Sequence, residues 1–143
     1  MKKLKFILTL VFTFLLLNNS FSQKSVWGGF AYQDDRQGIA SSYPMLLEMK
    51  QSGDKFKGTT LFFLANDPSV YVKMKFKGEM INNEIILTET EITDCSKING
   101  QWLTKEMTLK FESPDNEDKL VGSWVATESN INFGRIVLKK SLK

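Results

Sequence analysis

Val70-Tyr71-Val72-Lys73-Met74-Lys75-Phe76-Lys77-Gly78-Glu79-Met80-Ile81-Asn82-Asn83-Glu84-Ile85-Ile86-Leu87-Thr88-Glu89-Thr90-Glu91-Ile92 is the stretch that decides the fold. Val70, Val72, Met74, Phe76 and Met80 share one parity, and Tyr71, Lys73, Lys75, Lys77 and Glu79 share the other. Side chains on a strand alternate between its faces, so this spacing predicts a strand with one dry and one wet side. Asn82-Asn83 then reads as a two-residue hairpin turn, because Asn tolerates the positive φ that such turns need.

Outward from this hairpin every periodic stretch has the same period of two, with no stripe of helical spacing. Strands are predicted over Val26–Gln33, Pro44–Gln51, Lys55–Leu64, Gln101–Glu112, Lys119–Ala126 and Gly134–Lys140. Met45, Leu47, Met49 and Gln51 share a face, as do Phe56, Thr60, Phe62 and Leu64, and also Leu103, Met107, Leu109 and Phe111. A Gly53-Asp54 turn pairs Ser52 with Lys55 and Gln51 with Phe56, which sets Met49 and Phe56 on one side. Turn chemistry and apolar pattern thus agree on one register.

The expected connections alternate in length. Tight turns follow the second and fourth strands, and Ser113–Asp118 makes an acidic turn after the sixth. Longer connections run over Asp34–Tyr43, Ala65–Ser69, Thr93–Gly100 and Thr127–Phe133. In a meander, alternate loops lie at the same end. The chain is therefore expected to form an all-β, antiparallel, up-and-down barrel of about eight strands with a closed base and an open mouth. Rim candidates are Asp34, Asp35, Arg36, Tyr43, Asn66, Asp67, Asp94 and Lys97. Gly28, Gly58, Gly78 and Gly122 are placed on the inward face, where they mark curvature or room for a ligand.

Residues 1–22 have the pattern of a secretory signal: Lys2, Lys3 and Lys5, an apolar run from Phe6 to Leu17, and small residues at Ser20 and Ser22 before a cut at Gln23. The expected organisation is a leader at 1–22 and one barrel domain at 23–143, exported to the periplasm or beyond. The leader holds three of the 19 basic residues and none of the 16 acidic ones, so the remainder is neutral. No electrostatic footprint for nucleic acid is left. The chain has no His and one Cys, Cys95. That removes His-based zinc sites, His-dependent nucleophilic catalysis and an intramolecular disulfide. No cofactor or metal is expected, and the chain is read as a monomer and not an enzyme.

A closed barrel of this size either fills its lumen or holds one small ligand. The strand number, meander order, export signal and amphipathic interior resemble the calycins, which include lipocalins, fatty-acid-binding proteins and avidins. Lipocalins carry Gly-x-Trp on the first strand; here Trp27-Gly28-Gly29 has the Trp first, and Gly122-Ser123-Trp124 lies on the seventh strand. Calycins also pack the early Trp against a cation from the last strand. Arg135 starts the last strand, at the mouth, and is misplaced for that part; Lys139 and Lys140 are the candidates that the resemblance implies. The resemblance implies a small, mainly apolar ligand in the lumen. Candidate contacts are Glu89, Lys105, Met74, Phe76, Met107, Tyr43 and Arg36. The rival reading is an exported interaction or inhibitor module that uses its mouth loops over a filled core. An outer-membrane barrel with Lys73, Lys75 and Lys77 inside is a further alternative.

Register singles out one residue. The Asn82-Asn83 turn pairs Met80 with Ile85, Gly78 with Leu87 and Phe76 with Glu89, which turns Ile85, Leu87, Glu89 and Glu91 inward. Glu91 is near enough to the mouth to reach solvent, but Glu89 lies deeper. A buried carboxylate needs a partner. Lys105, on the inward parity of the neighbouring strand, is the expected one. A bulge near Thr88 would instead turn Glu89 outward.

Overall fold

A computed structural model describes residues 22–34, 41–97, 101–128 and 132–141. Eight antiparallel strands follow one another around a closed barrel: β1 (Gln23–Asp34), β2 (Ser41–Ser52), β3 (Lys55–Leu64), β4 (Asp67–Ile81), β5 (Glu84–Cys95), β6 (Lys105–Ser113), β7 (Asn116–Ala126) and β8 (Phe133–Lys140). Each strand pairs with its neighbours in sequence, and β1 closes on β8. The leader expected at 1–22, except Ser22, lies outside the described residues, as do Asp35 and Arg36.

Local chemistry accounts for the registers. Gly53 takes φ +61°, and Asn82 and Asn83 take φ +51° and +64°. These left-handed turns match the twist of the strands they join. Ser52 pairs with Lys55 and Gln51 with Phe56. Ile81 pairs with Glu84 and Phe76 with Glu89. These are the partners that the sequence requires. Two connections are tighter than expected. Ser113 pairs with Asn116, so the acidic turn is only Pro114-Asp115. Leu64 pairs with Asp67 across Ala65-Asn66, and the extra residues Pro68–Val70 are absorbed as an irregularity within β4.

The tight turns at Gly53-Asp54, Asn82-Asn83 and Pro114-Asp115 share one end, the base. At the base Trp27 packs 6.2 Å from the Phe111 ring, and the Lys140 ammonium lies 5.8 Å from the Trp27 ring. Above them Leu47, Met74, Leu87, Met107, Leu109 and Leu138 are wholly buried, so the lower lumen is filled by side chains. The outer wall carries Lys50, Lys57, Lys75 and Lys77 in solvent.

Glycine makes the tight coiling possible. A Cβ on Gly58 would stand 1.8 Å from the Glu48 carbonyl oxygen, and one on Gly122 would stand 1.9 Å from that of Thr108. These inward glycines are filled against the adjacent strand, so they serve curvature and leave no ligand room. Gly28 departs from the expectation. It pairs with the exposed Leu46 and faces outward, while Gly29, paired with Met45, is the inward one. The one-residue offset follows from Trp27 and Ala31, both buried, which set the parity of β1.

Candidate functional site

The Asn82-Asn83 register carries along β5 and turns Glu89 into the barrel opposite Phe76. Its side chain has no solvent exposure. Oε1 accepts a hydrogen bond from the Thr60 hydroxyl at 2.7 Å. Oε2 accepts from the Lys105 backbone N–H at 2.8 Å and from the Lys105 ammonium at 3.3 Å. That ammonium also donates to the Leu103 carbonyl at 3.0 Å and sits 4.2 Å from the centre of the Phe62 ring. An ammonium has three N–H groups, and here a carboxylate, a carbonyl and a ring face occupy them. A buried pair is tolerated when such bonds complete it.

Just beyond Glu89 the strand bulges. Phe76 faces Glu89 and Lys75 faces Glu91, with Thr90 the extra residue between them. The bulge thus falls two residues after Thr88 and flips Glu91 rather than Glu89. Glu91 was expected inward; it lies instead on the outer wall, 2.6 Å from the Lys75 ammonium. A second irregularity follows between Met74 and Lys73. The two bend β5 away from β6, and their pairing is confined to Ile85–Thr88 against Glu106–Leu109. Where the next ladder partner would stand, the Glu89 carboxylate receives the Lys105 N–H. β6 begins at Lys105 rather than Gln101, paired there with Ala126 of β7.

The segment 101–104 leaves the sheet and covers the gap. Trp102 and Leu103 pack against the core. Thr104 is clasped to the end of β7. Its carbonyl accepts from the Thr127 N–H at 2.9 Å. Its hydroxyl bonds that of Thr127 and donates to Glu128 at 2.7 Å. The Thr104 hydroxyl, outweighing partial burial, holds the Glu128 carboxyl below its ordinary range.

These elements enclose a cavity of about 400 Å³ at the mouth. Phe62, Leu64, Val70, Trp102, Leu103 and Trp124 supply apolar wall, and Lys105 reaches it from below. On the opposite side the Tyr43 hydroxyl donates to Gln33 at 3.2 Å, and the Gln33 amide donates to Asn132 at 3.3 Å. The Trp124 indole N–H donates to the Tyr32 carbonyl at 3.1 Å. The Trp102 indole nitrogen is buried with no hydrogen-bond partner.

No family model and no curated protein matches this chain. The site therefore has to be read from its own geometry. Of the sequence candidates, Tyr43 and Lys105 line the cavity and Glu89 backs it through Lys105. Met74 and Met107 lie wholly buried in the packed layers. Phe76 is buried, with its ring edge against Gly58. Arg36 falls outside the described residues. Among the rim candidates, Asp34 stands 4.0 Å from Arg135, and Asp94 accepts from the Tyr71 hydroxyl at 3.2 Å. Both serve neighbouring strands. Cys95 is exposed at the end of β5.

Sequence reasoning missed Gln33, Trp102, Trp124 and Asn132 as wall residues. Trp102 falls on the wet parity of a strand extrapolated back to Gln101. A large indole at a supposedly wet position was the available signal. Among the described residues, no group of three or more His, Cys, Asp or Glu side chains is placed to hold a metal ion.

Proposed function

We propose that the protein is an exported, calycin-like barrel that holds a small, mainly apolar ligand in the cup at its mouth. The observation that carries this reading is the cavity of about 400 Å³, walled largely by aromatic and aliphatic side chains, with Gln33, Tyr43, Gln101, Lys105 and Asn132 as its polar groups. That size and lining are those of small-molecule sites. The Lys140 ammonium over Trp27 at the base supports the calycin analogy. The analogy concerns fold only, so the ligand has to be argued from the cup. The leader pattern at 1–22 supports export.

The packed lower lumen favours a second reading, an exported interaction or inhibitor module that works through its mouth. The faces count against an outer-membrane barrel, because lysines cover the wall that lipid would touch and methionines and leucines fill the interior. No helix among the described residues is long and apolar enough to cross a membrane.

Native mass spectrometry of protein exported by its own host tests the proposal. A chain beginning at Gln23 with a co-purifying small molecule is expected. Leu64→Trp, which adds bulk to the cavity wall, should abolish that co-purification with the fold intact by far-UV circular dichroism. Unchanged loading of Leu64→Trp would move the ligand elsewhere, and an empty native protein would favour the interaction module.

A further inference from the structure

We infer that the cup selects an uncharged ligand that carries a hydrogen-bond acceptor, such as a carbonyl or ether oxygen, and that Trp102 is the residue that recognises it. The inference rests on the cup being a ligand site and concerns which chemistry it takes.

Two observations meet here. The first is charge. Lys105 is the one ionic group on the cavity wall among the described residues. Its charge is matched by Glu89, and its N–H groups are engaged by Glu89, the Leu103 carbonyl and the Phe62 ring. An anionic head group would have to displace Glu89 from a cation it already neutralises, and would then leave that carboxylate buried and unmatched. An uncharged ligand avoids this conflict.

The second observation is an orphan donor. The Trp27 indole N–H donates to Ser25 at 2.9 Å, and that of Trp124 donates to the Tyr32 carbonyl. Only the Trp102 indole is buried without an acceptor among the described side-chain nitrogens and oxygens. Leaving such a group unpaired is unfavourable, and a ligand that supplies the acceptor recovers the lost bond. The Trp102 ring lines the cup, so a small rotation about its side-chain bonds turns the N–H toward a bound acceptor. Sites with a buried donor discriminate strongly against analogues that lack the matching group.

Three molecules of nearly one shape separate the possibilities: acetophenone (neutral, with an acceptor), cumene (neutral, without one) and benzoate (anionic). Binding is followed by the three indole N–H resonances in heteronuclear NMR. Acetophenone should shift one indole resonance, the one missing from Trp102→Phe, and cumene should leave its hydrogen-bonding shift unchanged. Trp102→Phe should weaken acetophenone about tenfold, ~1.4 kcal/mol, and change cumene by less than about twofold. Benzoate should bind native protein most weakly and gain in Glu89→Gln, which exposes the Lys105 charge. Benzoate binding native protein more tightly than acetophenone, or equal losses of acetophenone and cumene in Trp102→Phe, would overturn this inference and leave the cup as a ligand site. Failure of acetophenone and cumene alike to bind native protein would overturn the cup reading with it.

Discussion

Glu89 and Lys105 are the residues on which the interior chemistry turns. Their attraction operates away from water, but so does the cost of desolvating them, so removing one partner matters more than removing both. Lys105→Met should strand the Glu89 carboxylate and lower stability by about 3 kcal/mol, read as a shift in the urea unfolding midpoint. Adding Glu89→Gln to that variant should restore at least half of the loss, because the neutral amide accepts from the backbone N–H at position 105, donates to the Thr60 hydroxyl and needs no cation. A double variant as unstable as Lys105→Met would mean that the ammonium's bond to the Leu103 carbonyl and its contact with the Phe62 ring dominate. Glu89 was legible in the sequence because a turn and a parity together determine where a side chain points. Trp102 was not, because its position depends on where β6 starts pairing, and that is set by its partners on two other strands.

At the scale of the strand, glycine placement and turn chemistry control the barrel's shape. Gly58→Ala would push a Cβ into the Glu48 carbonyl, which cannot move without breaking the β2–β3 ladder. A loss of about 3 kcal/mol is expected, against less than about 0.5 kcal/mol for Gly28→Ala. The Gly28 Cβ would meet only the tip of Leu46 at 3.4 Å. Thermal unfolding of the two variants side by side checks the contrast. Asn83→Gly should stabilise by about 0.5–1 kcal/mol, since Asn83 sits at positive φ in a tight hairpin turn that favours glycine there. The bulge at Thr90 had no equivalent signal. Thr88, Glu89, Thr90 and Glu91 are all polar, and such a run does not show where the alternation slips.

For the whole molecule, the mouth should respond to acid. The Glu128 carboxyl is held below its ordinary value chiefly by the Thr104 hydroxyl. A group whose folded pKa is lowered contributes its stability in full above its unfolded pKa and loses it as pH falls through the folded one. The clasp between β7 and the 101–104 segment should therefore be intact at neutral pH and loosen in acid, below the ordinary glutamate value of about 4.3. Protection of the Thr104 and Thr127 amides, corrected for the intrinsic pH dependence of exchange, should fall across that window in native protein. In Glu128→Gln it should be low already at neutral pH and flat across the same window. A native protein with the same flat profile would assign the clasp to the threonines alone.

The fold was written in local rules: period-two alternation, left-handed turns at Gly53 and Asn82-Asn83, and tight connections at one end. Each of these acts between residues close in the chain, so each can be read without coordinates. The inward choice of Gly29 over Gly28 and the early end of the β5–β6 ladder depend on residues brought together by the whole barrel. The cup belongs to this second class. Gln33, Tyr43, Trp102, Trp124 and Asn132 come from five separate stretches; Tyr43 was placed at the mouth by its loop, but no pattern within any one stretch brings the five together. They share a cavity because the packed layers below fill the lumen and the bend in β5 lets Trp102 and Leu103 settle over its upper edge.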